Sequence, residues 1–147
     1  HKTSKNVDKI LKHEKKIGIN NLELYRGFAS RVYGVREKLR SYLENIKKHG
    51  MSIAGYGAPA KSTTLLNFCG IGSDFLDYIV DDSPLKIGLY TPGTHIPVVG
   101  PDFIDKKRPD YILILAWNFA EEILAKTKKY SIHGVKFIIP LPEPSIA

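Results

Sequence analysis

The stretch Met51-Ser-Ile-Ala-Gly-Tyr-Gly-Ala-Pro-Ala-Lys-Ser-Thr-Thr-Leu-Leu-Asn-Phe68 decides the fold of this chain. Its first apolar residues predict a buried strand, and its last ones predict a helix. Between the two, Gly55, Gly57 and Ala60 fit the pattern G-x-G-x-x-G/A of the turn that binds dinucleotides. The first N–H groups of a helix are free and its dipole favours negative charge, so this strand–turn–helix predicts an anion site.

The same loop comes close to a second phosphate-binding pattern, the P-loop, which requires glycine where Ala60 precedes Lys61 and Ser62. A P-loop NTPase also places an aspartate after a later apolar strand to help hold Mg²⁺. The strand predicted from Tyr111 ends instead in Ala116-Trp117-Asn118. The sequence therefore favours the dinucleotide-type turn, while a tight turn that binds nothing stays open as an alternative.

Length and composition narrow the class of protein. With 147 residues the chain has the size of one ordinary domain with its own core. Cys69 is the single cysteine, which excludes an internal disulfide and predicts a reducing compartment and no metal site. No stretch is apolar enough for a signal peptide or a membrane span. We expect a cytoplasmic protein without a membrane partner, and the start at His1 within a helical pattern suggests a fragment.

The net charge of +7 is concentrated at one end of the chain. Residues 1–48 hold 13 Lys and Arg against 5 Asp and Glu, whereas residues 49–147 hold 9 against 10. Basic helices can contact nucleic acid. Here the charges are scattered and no nucleic-acid-binding motif follows, so a solvated helix face is the better interpretation and nucleic acid is an unlikely partner.

Residues 1–48 are predicted to form a helical segment that packs on, or bridges from, the domain in residues 49–147. A short amphipathic helix ends near Gly18, and a longer one follows with an apolar stripe of 3-4 spacing. The stripe consists of Tyr25, Phe28, Val32, Val35, Leu39, Tyr42 and Ile46. Gly27 and Gly34 argue against a coiled coil. We expect packing across the sheet and onto something beyond it, which also allows weak homodimerisation.

From residue 49 onward strands and helices alternate. Strands are predicted at residues 52–54, 77–80, 98–99, 111–116 and 135–139, and helices at 61–69, 102–107 and 119–130. Unbroken apolar strands that alternate with helices indicate a parallel sheet covered on both faces. The predicted fold is an α/β, Rossmann-like three-layer sandwich with a mainly parallel sheet of about five strands, preceded by the long N-terminal helix.

Ligands of such sheets bind at the carboxyl ends of the strands. The candidate binding residues found there are Gly55, Tyr56, Gly57, Ala58, Lys61, Ser62, Thr63, Asp81, Thr94, His95, Trp117 and Asn118. Asp81 stands where a dinucleotide site keeps its ribose-binding acid, or it is a plain turn residue. Lys61 opposes the helix dipole unless an anion is present. A lone loop histidine is usually structural, and Trp117 either stacks on a ligand or covers the core. No catalytic acid–base pair or nucleophile is visible.

Six ordered motifs identify a known family. They are Gly55-Tyr-Gly-Ala-Pro-Ala-Lys61, Leu65-Leu-Asn67, Val80-Asp-Asp-Ser-Pro-Leu-Lys86, Pro92-Gly-Thr-His-Ile-Pro97, Pro109-Asp-Tyr-Ile-Leu-Ile-Leu-Ala-Trp-Asn118 and Phe137-Ile-Ile-Pro-Leu-Pro142. With them nearly the whole chain resembles the C-terminal domain of the sugar C-methyltransferases. These S-adenosylmethionine-dependent enzymes methylate a carbon of a nucleotide-linked keto-deoxysugar. The chain departs from the family at Asp82, where Arg or Asn is common, and at Ala116, where Pro is usual.

The resemblance implies a division of labour. Such proteins combine a zinc-bearing N-terminal part, a central methyl-donor domain and a Rossmann-like C-terminal domain that helps to bind the nucleotide sugar, and only the last matches here. It implies that S-adenosylmethionine is the cofactor of the parent protein, bound by the central domain, with none on this fragment. It also places the catalytic residues there, so the fragment alone would be inactive.

The partners implied are a nucleotide-diphosphate sugar and the chain's own methyl-donor domain. The diphosphate is expected on the glycine loop and the start of its helix, with Asp81 and residues 92–97 near the nucleoside or the sugar. The alternative is a free-standing NAD-binding Rossmann module of a sugar-nucleotide dehydratase or reductase.

Overall fold

The computed structural model describes residues 4–147 and divides the chain into two compact units that meet between Gly34 and Val35. Helix α1, Lys5–Ile17, begins after Ser4, whose hydroxyl accepts a bond from the Val7 amide, and ends at Gly18, which has a φ of 79°. Helix α2, Leu22–Lys48, begins in the first unit and ends in the second. Both N-terminal helices were predicted from their apolar spacing.

The apolar stripe of α2 has a different environment in each unit. In the second unit its members Leu39 and Ile46 are buried together with Leu43, which the predicted stripe did not include, whereas Tyr42 is half-buried. In the first unit Tyr25 and Phe28 remain 53% and 59% exposed. A Cβ added at Gly34 would meet no atom within 4 Å, so this glycine does not mark the close approach of another element.

A six-stranded sheet forms the centre of the second unit. Its strands are β1 (Ile53–Tyr56), β2 (Ile79–Val80), β3 (Val98–Val99), β4 (Tyr111–Ile114), β5 (Lys136–Ile139) and β6 (Ser145–Ile146). They lie in the order β3-β2-β1-β4-β5-β6, and all pairs are parallel except β5 with β6. The first five strands thus follow the Rossmann order. This arrangement confirms the predicted fold class.

Four helices and a 3₁₀ turn complete this unit. They are α3 (Ala60–Cys69), α4 (Phe103–Lys106), the 3₁₀ turn Trp117–Phe119, α5 (Ala120–Lys126) and α6 (Lys128–Ile132). Alternate residues of β1, β2, β4 and β5 enter two separate cores. Ile53 and Leu113 pack in the core that contains Leu66 of α3 and the buried residues of α2. Ala54 and Ile112 pack in the opposite core with side chains of α4, α5 and α6. The unit therefore has three layers.

The structure differs from the sequence-based expectation in two places. The helix predicted over residues 119–130 is divided at Thr127, whose hydroxyl donates to the Ile123 carbonyl at 2.5 Å. Strand β6 was not predicted. As the sequence predicts, the connection from β2 to β3 contains no helix, and the sheet face on that side is covered by residues 35–48 of α2. Across residues 4–147, no helix is long and apolar enough to cross a membrane.

Candidate functional site

The glycine loop lies where the sheet order reverses, between the neighbouring strands β1 and β4. Gly57 has a φ of 88°, and a Cβ there would lie 2.7 Å from the Cβ of Ala116, directly after β4. A Cβ at Gly55 would lie 2.8 Å from side-chain atoms of Ile79 and Leu115. Both glycines are therefore required by packing, and Gly57 also by its backbone conformation.

Asp81 holds this loop against the end of β2. Its Oδ2 accepts the Ala58 amide at 2.6 Å and the Lys86 ammonium at 3.1 Å, while its Oδ1 accepts the Ser83 amide at 2.8 Å. Burial raises the pKa of Asp81, but these three bonds outweigh burial and hold the pKa below its ordinary value. The carboxylate is thus already engaged by the protein.

A cleft of about 450 Å³ opens beside the loop at the carboxyl ends of the strands. The residues that line it are Tyr56, Gly57, Pro59, Asp81, Asp82, Lys86, Ala116, Phe119, Glu122, Ile123 and Lys126. Because Tyr56 points away from α3, this cleft lies on the α5 side of the sheet. Its wall combines backbone, charged groups of both signs and one exposed aromatic ring, Phe119.

Two charged residues bridge the mouth of the cleft. The Lys126 ammonium donates to Asp82 Oδ1 at 2.6 Å, and the Tyr56 hydroxyl makes a long contact of 3.5 Å with the same oxygen. The bond to Asp82 raises the pKa of Lys126. Burial raises the pKa of Tyr56, so the phenol stays protonated at neutral pH. The pair joins the end of β2 to α5.

Lys61 lies in the first turn of α3, outside the lining of the cleft but next to it. Its ammonium is 4.6 Å from the ring centroid of Trp117 and 5.9 Å from that of Phe119, which does line the cleft. The residue before α3, Pro59, provides no side-chain cap for the helix. The helix start therefore presents one ammonium and its free backbone N–H groups near the cleft mouth.

The predicted residues Ser62 and Thr63 of α3, and Asn118 after β4, have different surroundings. The hydroxyl of Ser62 is buried and donates to the Pro59 carbonyl at 2.6 Å, so it stabilises the helix start. Thr63 is partly buried, and its carbonyl accepts the Asn67 amide group at 2.8 Å. Asn118 is exposed in the 3₁₀ turn after β4.

Thr94 and His95 belong to a loop that does not line the cleft. Asn67, two turns along α3, donates to the Pro92 carbonyl at 3.2 Å and fixes this loop against α3. Thr94 shares a 2.7 Å hydroxyl bond with Thr91. His95 is exposed and has a φ of 51°, a conformation that ordinary side chains seldom adopt. The structure therefore separates this loop from the other candidate residues.

The sequence prediction and the cleft overlap in part. Tyr56, Gly57 and Asp81 were predicted and line the cleft. Lys86, Phe119, Glu122 and Lys126 line it but were not predicted as site residues. The last three follow one another at helical spacing after the end of β4, a signal that was available in the sequence. Lys86 lies in an irregular stretch and gave no such signal.

The side chains of this cleft are suited to polar contacts with a ligand. It offers two ammonium groups, carboxylates and a phenol, all suited to hydrogen bonds with a polar ligand. Within the described part of the chain, no group of three or more His, Cys, Asp or Glu side chains could hold a metal ion.

Comparison with known proteins assigns the family. The sequence model of the C-methyltransferase C-terminal domain matches residues 1–142. Over 146 residues the chain is 38% identical to C-methyltransferase NovU of Streptomyces niveus, a match that covers 99% of this chain and 35% of NovU. The chain thus spans about a third of the length of this curated relative. The chain belongs to the C-methyltransferase C-terminal domain family.

Proposed function

We propose that this chain is the nucleotide-sugar-binding domain of an S-adenosylmethionine-dependent sugar C-methyltransferase. The observation that supports it best is the glycine loop at the point where the strand order reverses, with a cleft of about 450 Å³ beside it. In open α/β sheets this is the usual position of a nucleotide ligand. The family assignment supports the other part of the proposal, that the parent protein is a C-methyltransferase.

The diphosphate is proposed to bind at residues 57–61. Gly57 allows the backbone to come close to a phosphate because it carries no side chain. The uncapped start of α3 offers free N–H groups and the positive end of the helix dipole. Lys61 adds a full positive charge whose present contacts are aromatic rings rather than a carboxylate. An anion can therefore engage this ammonium without breaking an ion pair.

The nucleoside and the sugar are proposed to extend from this loop into the cleft. Phe119 presents an exposed ring for stacking, and the Asp82–Lys126 pair and Tyr56 provide polar contacts. Asp81 keeps the structural role described above, because its oxygens already accept three bonds.

S-adenosylmethionine is proposed to bind to another part of the parent protein, together with the catalytic residues. When bound, it supplies a methyl group to a carbon nucleophile. The charges of the cleft and its margin balance, with Lys61, Lys86 and Lys126 against Asp81, Asp82 and Glu122, so they provide no net attraction for its positive sulfonium. NovU has about two thirds of its length outside this match, which leaves room for a methyl-donor domain in a related parent protein.

Calorimetric titration of this chain with dTDP, a dTDP-sugar, NAD and S-adenosylmethionine tests the proposal. We expect the dTDP ligands to bind and S-adenosylmethionine to give no saturable heat. Lys61→Ala should weaken dTDP binding about ten- to hundredfold, as expected for loss of a hydrogen bond to a charged group. It should cost at most about 1 kcal/mol of stability, the value of an exposed cation–π contact.

Lys48→Ala is the matched control, because this exposed lysine ends α2 shortly before β1 and therefore lies near the amino end of that strand, away from the carboxyl ends where the cleft opens. It should leave the affinity for dTDP unchanged. Tight binding of NAD without any response to dTDP would instead support an NAD-binding module. Equal affinity of Lys61→Ala and the unmodified chain for dTDP would remove Lys61 from the site.

A further inference from the structure

Two adjacent aspartates at the end of β2 have different surroundings. The oxygens of Asp81 accept two amides and one ammonium, and its side chain is only 10% exposed. The side chain of Asp82 is 54% exposed and lines the cleft. Its Oδ1 contacts Lys126 and Tyr56, whereas no residue within 4–147 hydrogen-bonds its Oδ2. One oxygen of a carboxylate that lines the cleft therefore has no hydrogen-bond partner among residues 4–147.

The position and the charge of this acceptor limit what it can bind. A carboxylate at the carboxyl end of the second strand lies where Rossmann sites bind ribose hydroxyls. A phosphate would be repelled by the carboxylate, whereas a hydroxyl donates to it strongly. Lys126 compensates the negative charge of Asp82, so a nearby diphosphate meets a neutral pair rather than a lone anion.

We infer that Asp82 is a specificity-determining residue of the cleft, which accepts a hydrogen bond from a carbohydrate hydroxyl of the ligand. The hydroxyl belongs either to the pentose of the nucleoside or to the hexose attached to the diphosphate. This inference rests on the proposed function, since it requires that the ligand be a nucleotide sugar.

The pentose is tested with three ligands that share one base: ribothymidine diphosphate, dTDP and 3′-deoxy-dTDP. We expect the affinity of the unmodified chain to fall about tenfold at the step that removes the bound hydroxyl. This tenfold difference in affinity should disappear in Asp82→Ala and should be smaller in Asp82→Asn, which keeps a neutral acceptor. The ratio between ligands is the decisive quantity, because both substitutions also free Lys126 and change the affinity for every diphosphate alike.

The hexose is tested by comparing dTDP-glucose with dTDP in the same proteins. If the hydroxyl belongs to the hexose, Asp82→Ala removes the gain in affinity that glucose brings and leaves the pentose steps unchanged. Asp105→Asn is the matched control: Asp105 also pairs with a lysine, at 3.0 Å, is 49% exposed and lies outside the lining of the cleft. This control should alter neither ratio, and melting temperatures should show that all variants fold.

Two results would overturn the inference, and they differ from each other. If dTDP binds but both ratios are the same in Asp82→Ala and the unmodified chain, Asp82 does not read the carbohydrate, and the proposed function stands without it. If the unmodified chain binds none of the thymidine diphosphates, the proposed function itself fails and the inference fails with it.

Discussion

The two halves of helix α2 share one apolar stripe but have opposite surroundings. In the half that belongs to the second unit, Leu39 of the stripe and the adjacent Leu43 are fully buried in the core on the α3 side of the sheet. In the half that belongs to the first unit, Tyr25 and Phe28 are more than half exposed. The 3-4 spacing is continuous through both halves. The pattern thus fixes which face of a helix is apolar, but not what covers that face.

This difference in burial separates side chains that stabilise the fold from side chains that favour association. Fully buried side chains contribute to folding through the area they remove from water and the contacts they make. Exposed apolar side chains contribute little to folding and instead favour contact with another surface. Substitutions in the two halves should therefore affect different measurements.

The largest effect is expected from Leu43→Ala. Removing a fully buried leucine should lower the free energy of unfolding by about 2–5 kcal/mol, because the transfer energy is lost and a cavity remains. Phe28→Ala on the same helix is the matched comparison. It should change the free energy of unfolding by less than about 0.5 kcal/mol, as is usual at exposed sites. Equal losses in urea denaturation would contradict the distinction between the halves.

Much of the second unit could be predicted because its sequence signals are local. Each of these signals is carried by residues within one element or one connection: the glycine turn, the unbroken apolar strands and the stripe of α2. The elements that were missed depend on pairing or on a single side chain. Strand β6 exists because Ser145 and Ile146 pair with β5 across a proline-rich turn, and the break at Thr127 depends on one hydroxyl bond to Ile123.

The site was harder to predict than the fold because it depends on which of several adjacent groups is already bonded within the protein. Asp81 and Asp82 cannot be told apart by spacing, and both line the cleft, yet Asp81 accepts three hydrogen bonds from the protein whereas Asp82 Oδ2 accepts none from residues 4–147. Thr94 and His95 lie within the β2–β3 connection, where the bond from Asn67 to the Pro92 carbonyl holds the loop on α3. Such choices are made by tertiary contacts.

A smaller effect is expected from Asp81→Asn, which tests how the second unit responds to acid. The folded state lowers the pKa of Asp81, so its contribution is complete above the ordinary aspartate pKa of about 3.9 and is lost as the pH falls towards the folded value. At neutral pH the substitution should cost about 1.5–3 kcal/mol, the value of hydrogen bonds to a charged group. The ion pair of the first unit, Arg26–Glu23, is mostly exposed and should add little.

Denaturation of both proteins at several pH values measures this contribution. The difference in unfolding free energy should be constant above about pH 5 and should shrink below about pH 3.9, where the carboxyl of the unfolded state becomes protonated. Comparing the two proteins removes the effect of Asp110, whose pKa is also lowered, by its bonds to Ser52. A difference that is independent of pH would show that the charge of Asp81 does not stabilise the loop.

The smallest effect on stability, with a clear effect on association, is expected from Phe28→Lys. The exposed aromatic face of α2 should make the isolated chain associate weakly with itself, and in the parent protein we propose that the methyl-donor domain covers it. Sedimentation should show a concentration-dependent dimer that Phe28→Lys weakens, while the free energy of unfolding changes by less than about 0.5 kcal/mol.

Ser30→Lys adds the same charge at an exposed polar position of the same helix, so it separates loss of the apolar ring from added charge. A chain that remains monomeric at millimolar concentration, or a dimer weakened equally by both lysines, would show that the apolar ring of Phe28 does not drive association.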